Sequence, residues 1–137
     1  MELRQPNKPY HIDHSIVYSC QYHVIFCPKY RRPVLVDAVA ARLKELVLGQ
    51  QEEYAYTVLG IEVMPEHVHL LLDVDPRIGV ASVVAKIKGY TSHELRAQFP
   101  WLRRRLPTLW TRSKFISTVG AVTLDVVQQY IESQKGV

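Results

Sequence analysis

Two histidines stand one residue apart, His67 and His69, inside the apolar run that follows Met64-Pro65-Glu66. On a β-strand alternate side chains share a face. His67 and His69 therefore project together while Val68, Leu70 and Leu72 point the other way. Their Cα atoms would lie ~6.6 Å apart, a separation that lets two imidazoles converge on one ion at ~2.1 Å. A second pair, Tyr130 and Gln134, has the i, i+4 spacing that shares one helix face. Tyrosine is a weak nucleophile unless a cation stabilises charge on the group it attacks. An ion held by a His-X-His pair would provide that cation, with an amide oxygen one turn from the tyrosine as a further ligand. The bland alternatives are satisfied sheet histidines, a rim tyrosine and a solvated glutamine.

Other candidates are weaker. Asp73 shares a face with His69, but four strand residues put ~13 Å between them, too far for a common ion. The chain lacks the His-X-His-X-Asp-His run of metallo-hydrolases. His23 can approach the site from the first strand, whereas His11, His14 and His93 read as surface residues. Cys20 and Cys27, seven residues apart on one strand, face opposite ways, so they read as reduced thiols rather than a disulfide.

The elements that must carry these residues alternate. Residues 1–15 are polar, with Pro6 and Pro9, and are expected to form a flexible arm ahead of a single domain over 16–137. Val17 to Cys27 reads as a strand. Asp37 is the expected N-cap of a helix with the stripe Val39, Leu43, Leu46 and Val47, its end open between Gly49 and Glu53. Tyr54 to Met64 and His67 to Val74 form a hairpin about Pro65-Glu66. A long helix is expected from Gly79 to Gln98, with Val80, Val83, Val84, Ile87, Thr91 and Leu95 inward and Gly89 inside it at a cost of about 1 kcal/mol relative to alanine. Trp110 to Val119 reads as a last strand, and Thr123 caps a helix to about Gln134 anchored by Leu124, Val127 and Ile131. The order β-α-β-β-α-β-α predicts an α+β, ferredoxin-like (RRM-like) antiparallel sheet. Its helices cover one face, its other face is open, and a C-terminal helix is added.

At 137 residues and 47% hydrophobic composition the chain can bury a core without staples. No apolar run approaches a membrane span, and the reading is cytoplasmic. The net charge is +4, with Lys29, Arg31 and Arg32 early, Lys86 and Lys88 in the middle, and Arg104, Arg112 and Lys114 late. Interleaved with Tyr30, Tyr90, Trp101, Trp110 and Phe115, these bases point to phosphate contacts and base stacking on nucleic acid.

MPEHVHLLL around His67 and His69, IKGYTSHELR at 87–96, LWTRSKFISTVG at 109–120 and QYIESQ at 129–134 together resemble the single-tyrosine HUH transposases of bacterial insertion sequences, the IS200-like group. Lys114-Phe115 departs from the small-plus-aromatic pair common there. The resemblance implies an enzyme that cleaves and rejoins single-stranded DNA, recognises subterminal hairpins, and works as a homodimer associated with the nucleoid when acting. It implies Tyr130 as nucleophile, forming a 5′-phosphotyrosine, and His67, His69 and Gln134 as ligands of Mg²⁺ or Mn²⁺. The modest apolar anchor of the last helix, with Gly120 as a pivot, adds the expectation that Tyr130 of one protomer completes the site of its partner. Two other readings stand beside this one. One is a domesticated relative cutting host repeat hairpins. The other is a catalytically idle single-stranded nucleic-acid-binding module on the same fold, against which stand the two histidines and the lack of a K/R-G-F/Y-G signature.

Overall fold

The chain enters through two short strands, β1 (His11–Ile12) and β2 (Val17–Tyr18), paired antiparallel as a ribbon of their own. The computed structural model describes residues 10–12, 15–120 and 124–137, with Leu124 described by its backbone alone. His14, most of the expected arm, the Thr123 cap and the side chain of Leu124 lie outside the described residues. His11 does not stand free at the surface: its ring stacks on Tyr18 with centroids 4.8 Å apart, and its Nε2 lies 3.2 Å from the carboxylate of Asp73.

The strand expected over 17–27 is split. β2 ends at Tyr18 and β3 (Gln21–Phe26) begins three residues later; between them the Cys20 N–H donates to the Asp73 carboxylate at 3.2 Å. A single 3₁₀ turn (Lys29–Arg31) leads to α1 (Asp37–Gly49), whose stripe Val39, Leu43, Leu46 and Val47 is buried as expected. Asp37 is the first helical residue, not the cap; Val36 holds that place without a side-chain bond. β4 (Tyr56–Met64) and β5 (His67–Val74) form the hairpin, and the Tyr56 hydroxyl ties β4 to α1 by donating to the Val47 carbonyl.

α2 (Val80–Gln98) starts after Gly79, whose φ of 89° is readily reached only without a side chain. It buries Val83, Val84, Ile87, Thr91 and Leu95. α3 (Trp101–Arg105) was not anticipated from the arginine run; Leu102 is its buried residue. β6 (Phe115–Thr118) is shorter than expected, since Trp110 makes only an isolated bridge to Pro28. The Trp110 indole is drawn into the helix layer instead, donating to Thr91 Oγ1 at 3.1 Å and standing edge-on to Phe26 with centroids 4.7 Å apart. α4 (Leu124–Ser133) closes the chain.

The main sheet runs β4-β5-β3-β6, antiparallel throughout, with α1 and α2 bridging non-neighbouring strands. This is the ferredoxin-like order. Val24, Phe26, Val68, Leu70 and Leu72 belong to one core cluster with the buried stripes of α1 and α2. Alternation then sends His23, Ile25, His67, His69, Leu71 and Phe115 to the opposite face.

Candidate active site

The histidine pair sits where a fully paired central strand meets its turn. His67 lies opposite Met64, and His69 lies between Glu62 and Ile25. His67 Nδ1 is 2.9 Å from Glu66 Oε1, so the turn residue orients the ring and leaves Nε2 for another partner. A carboxylate behind an imidazole is the arrangement that metal-binding histidines use. His69 is only 7% exposed, and its Nε2 lies 3.0 Å from His23 Nδ1. Burial, with the neighbouring His23 adding, holds its pKa down to about 4, so it is neutral near pH 7, the form that ligates metals. Burial lowers His23 as well.

The sheet face carrying these rings is not fully open. Ile25 and Leu71 point to it yet are buried, and neither belongs to the main core cluster. α4 lies on this side: the Tyr130 ring is 5.4 Å from that of Phe115, which is paired with Ile25 and so shares a row with His69. Two strand spacings separate the Cα atoms of Phe115 and His69, about 10 Å. The Tyr130 hydroxyl is 2.9 Å from Ser113 Oγ. Burial raises the phenol pKa, with the Ser113 hydrogen bond opposing. Gln134, in the turn just after α4 and 6% exposed, accepts at Oε1 from Thr111 Oγ1 at 3.2 Å and donates from Nε2 to Ser133 Oγ. The Tyr30 N–H donates to the Val137 carbonyl at 2.7 Å, and Arg31 reaches the exposed Glu132 at 3.4 Å, a pair worth little on its own.

The hydroxyls of Thr111 and Ser113 tie α4 to the segment that leads into β6 of the same chain. Among the described residues no hydrogen bond joins Tyr130 or Gln134 to His67 or His69. Nor do three His, Cys, Asp or Glu side chains converge on one point among the described residues. The donor set still suits a divalent ion. It offers two imidazoles, one braced by a carboxylate and the other held neutral, and the Gln134 oxygen keeps a second lone pair beyond its bond to Thr111.

The candidate DNA-binding bases scatter. Arg32, Lys86, Arg104 and Arg112 are exposed, while Lys29, Arg31 and Lys114 are partly covered. Lys86 lies over the Tyr54 ring on the helix layer, 5.8 Å from its centroid. Arg32 lines a cavity of about 410 Å³ with Arg105. Lys88 is half-buried, and its Nζ donates to the carbonyls of Thr111 at 2.7 Å and Ser113 at 3.1 Å. Sequence reasoning passed over Glu66, Thr111 and Ser113. Glu66 was detectable as the acid adjoining His67. Thr111 and Ser113 carried only the faint signal of two hydroxyls at alternate positions.

Residues 16–134 match the family model described as "Transposase IS200 like". The chain is 39% identical over 120 residues to the ISDra2 transposase TnpA of Deinococcus radiodurans, covering 86% of each protein. It is 31% identical over 119 residues to the transposase for insertion sequence element IS200 of Salmonella typhimurium, covering 85% of this chain and 78% of that one. A crystal structure of a protein from D. radiodurans, described as a transposase, superposes with a TM-score of 0.85 at 34% identity, over 93% of this chain and 99% of the other. A REP-associated tyrosine transposase bound to a REP hairpin shares the fold, with a TM-score of 0.56 at 13% identity over 82% of this chain and 62% of that one.

Proposed function

This chain belongs to the IS200-like transposase family, and from that premise we propose that it cleaves and rejoins single-stranded DNA through a covalent bond to Tyr130. The observation that carries this reading is the placement of the Tyr130 phenol: held by Ser113 at 2.9 Å, it lies beside Phe115 on the sheet face that carries His67 and His69. The phenol oxygen attacks the scissile phosphorus, its proton is lost, and the 3′-oxygen leaves and takes up a proton. The product is a 5′-phosphotyrosine and a free 3′-hydroxyl. Attack by a 3′-hydroxyl from another strand reverses the step, so rejoining needs no nucleotide cofactor. Phe115 and Ser113 fix the ring and its hydroxyl. His67, His69 and Gln134 would hold Mg²⁺ or Mn²⁺, which when bound supplies positive charge to a non-bridging phosphate oxygen and orients the phosphate for in-line attack.

The substrate in this reading is single-stranded DNA with subterminal hairpins, bound by a homodimer, with Arg32, Arg104, Arg112 and Lys114 supplying phosphate contacts. The test is incubation with end-labelled hairpin-bearing single strands and Mg²⁺. A covalent adduct mapping to Tyr130 by peptide analysis, absent with chelator, is the expected result. Binding without adduct would reduce the protein to a DNA-binding module on this fold.

A further inference from the structure

Lys88 is the basic residue whose position least resembles that of a DNA contact. It projects from α2 towards the segment between Trp110 and β6, and two of its three N–H groups go to the carbonyls of Thr111 and Ser113. Its Nζ also stands 5.8 Å from the centroid of the Phe26 ring, a core residue. The side chain is half-buried, and the two carbonyls replace part of the hydration its ammonium would otherwise keep. Burial, with the charge of Lys114 adding, brings its pKa down to about 8.

The two carbonyls belong to the residues whose hydroxyls reach α4. Thr111 Oγ1 holds the Gln134 amide oxygen, and Ser113 Oγ holds the Tyr130 phenol. Arg112 between them is exposed. The segment is therefore gripped through its backbone by Lys88 and grips α4 through its side chains. β6 begins only at Phe115, so ladder pairing does not fix residues 111–113 beyond the Thr111 N–H, which donates to the Cys27 carbonyl at 3.0 Å.

We propose that Lys88 is a positioning residue for strand transfer, clamping the 111–113 segment so that Thr111 and Ser113 hold Gln134 and Tyr130 in place. The inference rests on the roles proposed above for Tyr130 and Gln134. It removes Lys88 from the phosphate contacts and predicts a defect in turnover without one in DNA affinity.

Lys88→Met, which keeps the stem and removes the donors, tests it. The rate of adduct formation at saturating hairpin DNA should fall about 100-fold, the scale of loss for a misplaced reacting group. The Kd for that DNA and its salt slope should stay unchanged, and Lys88→Arg, which restores charged donors, should recover part of the rate. Backbone amide exchange over residues 111–114, measured without DNA or metal, should accelerate in Lys88→Met. In a Thr111→Val/Ser113→Ala background, Lys88→Met should cost little further rate, since all three act through one segment. If the variant instead weakens binding, lowers the salt slope by about one and leaves saturated turnover intact, Lys88 is a phosphate contact and the clamp is refuted. Fully additive losses, or unchanged exchange over 111–114, would refute it too. Should Lys88→Met fail to fold, Lys88→Gln, with a shorter neutral donor, is judged by the same split. If wild-type protein forms no adduct, the transposase reading fails, while the exchange experiment still decides the clamp.

Discussion

Replacing Tyr130 by phenylalanine separates the chemistry of the phenol from the packing of its ring. The ring contact with Phe115 at 5.4 Å survives, and the 2.9 Å hydrogen bond to Ser113 is lost. A neutral hydrogen bond contributes about 0.5–1.5 kcal/mol net, and Ser113 is partly exposed, so water can take the vacated place. At roughly 2.1 cal/mol/K of unfolding entropy per residue, a domain of this size loses about 3–4 °C of Tm per kcal/mol. Tyr130→Phe should therefore melt roughly 2–5 °C below wild type and bind hairpin DNA within about twofold of it, since independent contacts are left intact. Adduct formation should vanish. The assay is denaturing electrophoresis of labelled DNA with a parallel melt and a binding titration. Persisting adduct at wild-type stability would refute the assignment. Tyr90 would not be a ready substitute, because it stands edge-on to Tyr54 in the helix layer, away from the histidines.

The remaining predictions concern the ion, the substrate and pH. His67→Ala and His69→Ala should each abolish cleavage, chelation should do so reversibly, and Gln134→Ala should be milder, an amide oxygen being the weaker ligand; cleavage that survives chelator would sink the metal-dependent mechanism. Log Kd for hairpin DNA should rise linearly with log salt, and Arg112→Ala should reduce that slope by about one; a slope unaffected by every exposed arginine would remove them from the interface. His69 has a lowered pKa, so between about 6.5 and 4 the unfolded chain binds a proton that the fold does not. Stability of the metal-free protein should therefore fall as pH drops through that window, and His69→Gln should flatten the dependence seen in melts; an unchanged profile would mean the ring is not held neutral by the fold. Mixing His67→Ala and Tyr130→Phe protomers, with exchange confirmed, reads which chain α4 serves: the seat described here leaves the mixture silent, and adduct on the His67→Ala chain would show α4 crossing over.

Patterns of period two and 3.6 carried most of the fold. The α1 and α2 stripes and the alternation of β5 are each imposed by burial on one side, and a one-residue slip would turn His67 and His69 into the core. What periodicity could not reveal is competition for single polar groups. Asp73 accepts the Cys20 N–H where the first strand breaks, and the Trp110 indole donates to Thr91 across the helix layer while pairing lapses between the Trp110 bridge and Phe115. Both events depend on residues dozens of positions apart or on opposite elements, so no local window contains them.

The site divides along the same line. Strand geometry alone puts His67 and His69 on one face, and the i, i+4 spacing of Tyr130 and Gln134 suggested a shared helix face, although Gln134 falls just beyond α4. Glu66 behind His67 is a local support, but the others are tertiary: His23 against His69, Ser113 on the phenol, Thr111 on the amide. Lys88 has a tertiary setting that its charge in the sequence does not convey. In the pattern it is one more base in a basic stretch. In the fold, the delayed start of β6 leaves two backbone carbonyls without ladder partners, and an ammonium with three donors is the side chain on α2 that reaches both. The gap in pairing between the Trp110 bridge and Phe115 is thus the same segment whose hydroxyls reach the tyrosine and the glutamine.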